Sequence, residues 1–122
     1  MPEFAFQSLE VYQLAKNLVL RSYRLTGDFP QEEKFALTQQ MNRAAISIPS
    51  NIVEGYSRMT SKDKGHYLNM AYGSLMELIC QYEIAESLGY VSKGEFEAIM
   101  TASHNLAVKI SNFRQYVTAV KQ

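Results

Sequence analysis

The chain has 122 residues, enough for one domain that buries about two thirds of its unfolded surface without disulfide or metal staples. Its 12 basic and 12 acidic residues cancel and its aromatic content is ordinary, which excludes a disordered tail and a globally basic nucleic-acid binder. The single cysteine, Cys80, excludes an intrachain disulfide and a cysteine-based zinc site, and reads as a small core residue in a reducing compartment.

The first residues, MPEFAFQS, carry an early glutamate and no long apolar run, so they do not read as a signal peptide. Residues 8–26 place Val11, Leu14, Ala15, Leu18 and Leu25 at helical spacing and stop at Gly27-Asp28-Phe29-Pro30, a strong breaker. A second helix is expected over 31–58, with Glu32 and Glu33 at the positive end of its dipole. Pro49 falls inside it and cannot donate to the carbonyl of Ala45. A kink rather than a break is expected, because the periodicity continues on both sides.

That second helix is the most informative segment. Wound at about 100° per residue, Gln40, Arg43, Ser47, Asn51, Glu54 and Arg58 fall in a stripe roughly 80° wide. Leu37, Met41, Ala44, Ala45, Ile48, Ile52 and Tyr56 take the adjoining arc, and Phe35, Ile46 and Val53 extend it to about 200°. So wide an apolar arc calls for two neighbours in the same domain or for a second subunit.

A third helix, 61–88, opens at Thr60 with Asp63 three residues later and runs Tyr67, Leu68, Ala71, Leu75, Leu78, Ile79 and Tyr82 up to a stop at Gly89. Gly73 and Ser74 interrupt it. Glycine costs about 1 kcal/mol there relative to alanine, so a close helix approach is the expected compensation, with a tolerated surface glycine as the alternative. The fourth helix, 92–121, opens on Ser92 and Glu95 and carries Phe96, Ile99, Met100, Ser103, Leu106, Ala107, Ile110, Phe113, Val117 and Val120. Four such helices with short links predict an all-α protein, residues 1–122 forming one antiparallel up-down-up-down four-helix bundle. The longest uncharged apolar stretch, 44–53, is too short to span a bilayer, and a cytoplasmic protein is expected.

Several segments together resemble a known family. They are Val11-Tyr12-Gln13-Leu14-Ala15, Phe29-Pro30 with Glu33, and the block Gln40–Gly55 with its Gln-Met-x-Arg-Ala-Ala, Ser-Ile-Pro and Asn-Ile-x-Glu-Gly pieces. Ala71-Tyr72-Gly73-Ser74-Leu75 with Glu77-Leu78, and Leu88-Gly89-Tyr90, complete the set. The chain is similar to the four helix bundle proteins also described as 23S rRNA intervening sequence proteins; the fourth helix matches only in pattern. The resemblance implies a bacterial bundle assembled as a cyclic homopentamer, with no established enzymatic activity. Some members are encoded within sequences that interrupt 23S rRNA genes. A related bundle, the accessory variability protein of diversity-generating retroelements, is a pentamer that binds nucleic acid through basic surfaces. With zero formal net charge this chain departs from that basic character, so electrostatic function has to come from local patches.

Two sets of residues are candidates. The polar set, Gln40, Arg43, Ser47, Asn51, Glu54 and Glu77, reads either as a ligand-binding face or as a buried network that fixes helix register. The network is favoured, with Arg43 pairing Glu54 or Glu77 at a helix or subunit junction. The basic set, Arg58, Lys62, Lys64, Lys109, Arg114 and Lys121, belongs to one end of the expected bundle. With Glu3, Glu10, Glu54 and Asp63 that end sums to plus two, against minus four for Arg24, Asp28, Glu32, Glu33, Lys34, Glu83, Glu86, Lys93, Glu95 and Glu97 at the other. In a cyclic oligomer the basic end becomes a ring that attracts phosphate; ordinary solvated charge is the alternative.

Catalysis has little support. Glu54 with Glu77 is better read as structural than as an acid/base pair. His66 and His104 lack metal-ligand spacing, and neither a phosphate loop nor a nucleophile motif is present. The expected protein is a non-enzymatic ring without metal or cofactor, binding RNA, another nucleic acid or a ribonucleoprotein. A protein-binding scaffold is the second reading, and an enzyme a distant third.

Overall fold

The computed structural model describes residues 3–119, and among them every regular element is helical. Four long helices carry the fold: α1 Glu10–Thr26, α2 Leu37–Ser57, α3 Ser61–Ser87 and α4 Lys93–Thr118. Short 3-10 turns, Ala5–Ser8 and Gln31–Glu33, precede α1 and α2. Val120 and Lys121 lie outside the described residues.

The helices share one core. Val11, Ala15 and Leu18 of α1 meet Met41, Ala45, Ile48 and Ile52 of α2, Leu68, Leu75, Leu78 and Tyr82 of α3, and Ile99, Leu106 and Ile110 of α4. Each of the larger aliphatic side chains contributes about 1.5–3 kcal/mol by leaving water. Chain neighbours pack closely and α1 packs most loosely against α4, leaving recesses along that seam. Two cross-links tie distant parts together: buried Tyr82 donates to Ser22 Oγ at 2.7 Å, and Lys109 Nζ meets Glu10 Oε1 at 3.1 Å.

The second helix departs from its expected start at Gln31. After Pro30 the chain makes one 3-10 turn, and Ala36, at φ −124° and ψ −104°, breaks the path before α2 begins. Glu33 does not extend the helix but caps it, with Oε1 accepting the Leu37 amide at 3.4 Å and Oε2 the Tyr90 hydroxyl at 2.9 Å. Its arc is divided as well. Met41, Ala44, Ala45, Ile48 and Ile52 are buried, while the extension reaches solvent, Ile46 at 45% exposure and Phe35, ahead of the helix, at 80%. The helix runs without interruption through Pro49.

Two expectations are reversed. Gly73 stands in open space, with nothing within 4 Å of where a Cβ would be, so it is a surface glycine. The close approach is at Gly55, where a Cβ would meet Leu68 Cγ at 3.0 Å and the Lys64 carbonyl oxygen at 3.1 Å. Cys80, expected in the core, is exposed on α3.

Candidate nucleic-acid interface

The corner between α2 and α3 gathers Arg58, Lys62 and Lys64, and the end of α4 lies beside it, with Thr118 Cγ2 3.3 Å from the Cβ position of Gly65. Most of these cations are already engaged. Arg58 donates from Nη2 to Glu54 Oε2 at 2.8 Å and to the Tyr67 hydroxyl at 3.0 Å, and its Cζ lies 4.6 Å from the Tyr67 ring centroid. Lys64 donates to the Tyr56 carbonyl oxygen at 2.9 Å, where a cation neutralises the negative end of α2. Lys109 is held by Glu10.

Two exposed cations remain. Among the described residues, the side chains of Lys62 and Arg114 make no hydrogen bond or ion pair. Lys121 is outside the described residues.

Arg114 sits on a built surface. Together with Leu68, Asn69, Tyr72, Ile110 and Ser111 it lines a recess of about 250 Å³ between α3 and α4. Tyr72, 38% exposed, and Ser111 also line a larger groove of about 600 Å³ with Met76, Ile79, Met100, His104, Ala107, Val108 and Asn112. The arrangement places a guanidinium, an amide, a hydroxyl and an aromatic ring on one seam. Phosphate, base edge and base face each find a partner in such a set.

Asn69 and Ser111 carry no charge and stand in no motif, and Tyr72 is marked in the sequence only as part of the Ala71–Leu75 motif. A signal was there, since Asn69 with Tyr72 and Ser111 with Arg114 are three apart and share a helix face.

The polar set is not a buried network. Gln40, Arg43, Glu54 and Glu77 are exposed, and Ser47 and Asn51 are half-buried. The expected ion pair of Arg43 with Glu54 or Glu77 is not made. Glu54 is held by Arg58 one turn on, and Glu77 Oε2 accepts from Gln81 Nε2 at 3.2 Å. The reason is geometric: an i,i+4 neighbour on the same helix reaches each carboxylate first. Ser47 and Ser74 do join across α2 and α3, their hydroxyls 2.8 Å apart, and Asn51 Nδ2 donates to the Ser47 carbonyl and Oγ at 2.8 and 2.9 Å.

Among the described residues no cluster of three His, Cys, Asp or Glu side chains is placed to hold a metal ion, and no helix is long and apolar enough to cross a membrane. His66 is exposed beside Tyr67, and His104 faces the larger groove.

The class of protein is therefore a four-helix bundle with a shared apolar core and no strand among the described residues. The chain belongs to the 23S rRNA-intervening sequence protein family, whose sequence profile matches residues 7–112. It is similar to the crystal structure of a protein of unknown function from the S23 ribosomal protein family of Bacteroides thetaiotaomicron VPI-5482. The TM-score is 0.79 at 22% identity, covering 86% of this chain and 95% of that one, which establishes the fold alone. No curated protein matches the chain.

Proposed function

We propose that the protein is a non-enzymatic, ring-forming bundle of the cytoplasm that binds RNA, or another nucleic acid in a ribonucleoprotein, through the seam of α3 and α4 near the α2–α3 corner. The observation that carries this reading is the recess in which Arg114 and Tyr72 stand together with Asn69 and Ser111. Arg114 and Lys62 hold backbone phosphates, Tyr72 stacks an unpaired base, and Asn69 and Ser111 supply hydrogen bonds. The family's description, which ties it to 23S rRNA, supports RNA as the first polymer to try. Lys64, held by a neutral carbonyl, adds positive potential at one remove, while Glu54 and Glu10 compensate the charges of Arg58 and Lys109.

Assembly as a homopentamer, and the antiparallel up-down-up-down course of the helices, belong to the same proposal. The Glu10–Lys109 and Tyr82–Ser22 links support the helix course. Support for assembly comes from the apolar side chains left outside the core, including Leu20, Tyr23, Ile46, Met70 and Ile84, each 45–48% exposed.

The test is fluorescence anisotropy of a labelled single-stranded RNA over a salt series. Two phosphate contacts per protomer give a log–log salt slope of about −1.4, and Arg114→Ala flattens it by about 0.7. Tyr72→Ala weakens binding by about 1–3 kcal/mol with the slope retained. No binding at low salt, or binding indifferent to both substitutions, refutes the assignment.

The second reading is a protein-binding scaffold, favoured by the apolar groove of Met76, Met100 and Val108. A partner protein that co-purifies through nuclease treatment and high salt identifies it.

A further inference from the structure

The polar set on α2 and α3 lines a recess of its own. Gln40, Arg43, Ala44, Ser47, Ser74 and Glu77 line an open recess of about 300 Å³, at the small end of the range of about 300–1,000 Å³ typical of ligand sites. Opposite charges face one recess and do not join. The Arg43 guanidinium and the Glu77 carboxylate form no ion pair, and Arg43 has no other side-chain partner among the described residues. Glu77 spends one oxygen on Gln81 and keeps Oε1 unengaged.

The floor is ordered. Ser47 Oγ receives Asn51 Nδ2 at 2.9 Å and lies 2.8 Å from Ser74 Oγ. Two hydroxyls carry two protons, and the bond between them uses one. Whichever serine donates, one O–H is left over for a ligand.

A carboxylate matches the planar fork of Arg43, and a primary ammonium matches Glu77 Oε1. A simple anion meets repulsion from Glu77, and a simple cation meets it from Arg43. The complementary ligand carries both charges a short distance apart and is small. We propose that this recess binds a free α-amino acid as its zwitterion, the carboxylate on Arg43 with help from the spare serine hydroxyl and Gln40, and the ammonium on Glu77.

The test is an NMR titration of the full chain, following backbone amides, with glycine, L-alanine and L-glutamine as probes and with N-acetylalanine and alaninamide, each lacking one charge. Saturable shifts are expected around Gln40, Ser47, Ser74 and Glu77 for at least one free amino acid, with the capped compounds at least about tenfold weaker. Arg43→Ala and Glu77→Gln each lose about tenfold or more, which is 1.4 kcal/mol or more. The melting temperature is retained in both, since both side chains are exposed. Arg114→Ala leaves the titration unchanged, separating this site from the RNA seam. Absence of saturation up to about 50 mM, a limit reached only by affinities weaker than about 2 kcal/mol, overturns the proposal. So does an equal response to the capped compounds, or to guanosine monophosphate in their place.

Discussion

Tyr82 brings a hydroxyl to the centre of the bundle and gives it one partner, Ser22 Oγ. Burial raises its pKa above the ordinary tyrosine value, against a smaller lowering by Ser22 and by the charge of Arg21. Tyr90 shifts the same way, chiefly because its hydroxyl donates to the Glu33 carboxylate. The unfolded chain loses these protons near pH 10 while the folded chain retains them, so the native state binds more protons above that pH. Their stabilisation is complete below about pH 10 and is lost as pH rises beyond it. Melting temperatures from pH 8 to 11 are expected to fall less steeply above pH 10 in Tyr82→Phe than in the parent, at a cost of about 1 kcal/mol at neutral pH. A parallel decline in the two proteins counts against this assignment.

Ser103 is the opposite case: it is fully buried and its Oγ has no partner. Ser103→Ala is expected to raise stability by up to about 1 kcal/mol in urea denaturation, since it removes an unsatisfied hydroxyl and improves helix propensity. Residue identity was legible in the sequence wherever period and chemistry agreed, as at Leu75 or Ile99. It failed at Arg43 and Cys80, whose side-chain chemistry suggested burial although their helix faces point outward.

At the scale of elements, stops and starts carry local chemistry. Gly89 adopts φ +83°, a region open to glycine, and the Tyr90 amide reaches the Ala85 carbonyl at 2.9 Å while the Gly89 amide reaches Glu86 at 3.0 Å. At the start of α4, Ser92 and Glu95 exchange hydrogen bonds at 3.1 Å each, and Ser92→Ala is expected to cost about 1 kcal/mol. These signals were readable because they depend on a few adjacent residues. The start of α2 was not, because Glu33 is claimed by Tyr90, far along the chain. The glycines divide for the same reason. A Cβ at Gly55 presses on Leu68 and on the Lys64 carbonyl, which have to give by a few tenths of an ångström, so Gly55→Ala is expected to cost about 1 kcal/mol or more. Gly73→Ala, in open space, gains about 0.5–1 kcal/mol. Thermal denaturation of the two variants checks both signs, and a loss at Gly73 instead marks that face as covered in the assembled protein.

For the whole molecule, the pattern of four amphipathic segments and short links was sufficient to foresee an all-helical bundle, and the ordered motifs from Val11 to Tyr90 carried the family. The candidate interface was half legible. Charge singled out Arg114 and Lys62 as candidates, but could not tell them from Arg58, Lys64 and Lys109, whose partners come from folding. The seam that adds Tyr72 to Arg114 exists only once α3 and α4 are packed. The apolar excess of α2 proved partly internal, with five of its residues in the core and Ile46 left outside, so the apolar surface open to assembly is spread over several helices.

The most direct measurement is the light-scattering mass of the purified protein, taken with the 260/280 nm absorbance ratio of the same peak before and after nuclease. A nucleic-acid-binding pentamer gives five times the chain mass and a ratio that drops on nuclease treatment. A peak at the mass of one chain, with a ratio that nuclease leaves unchanged, contradicts it.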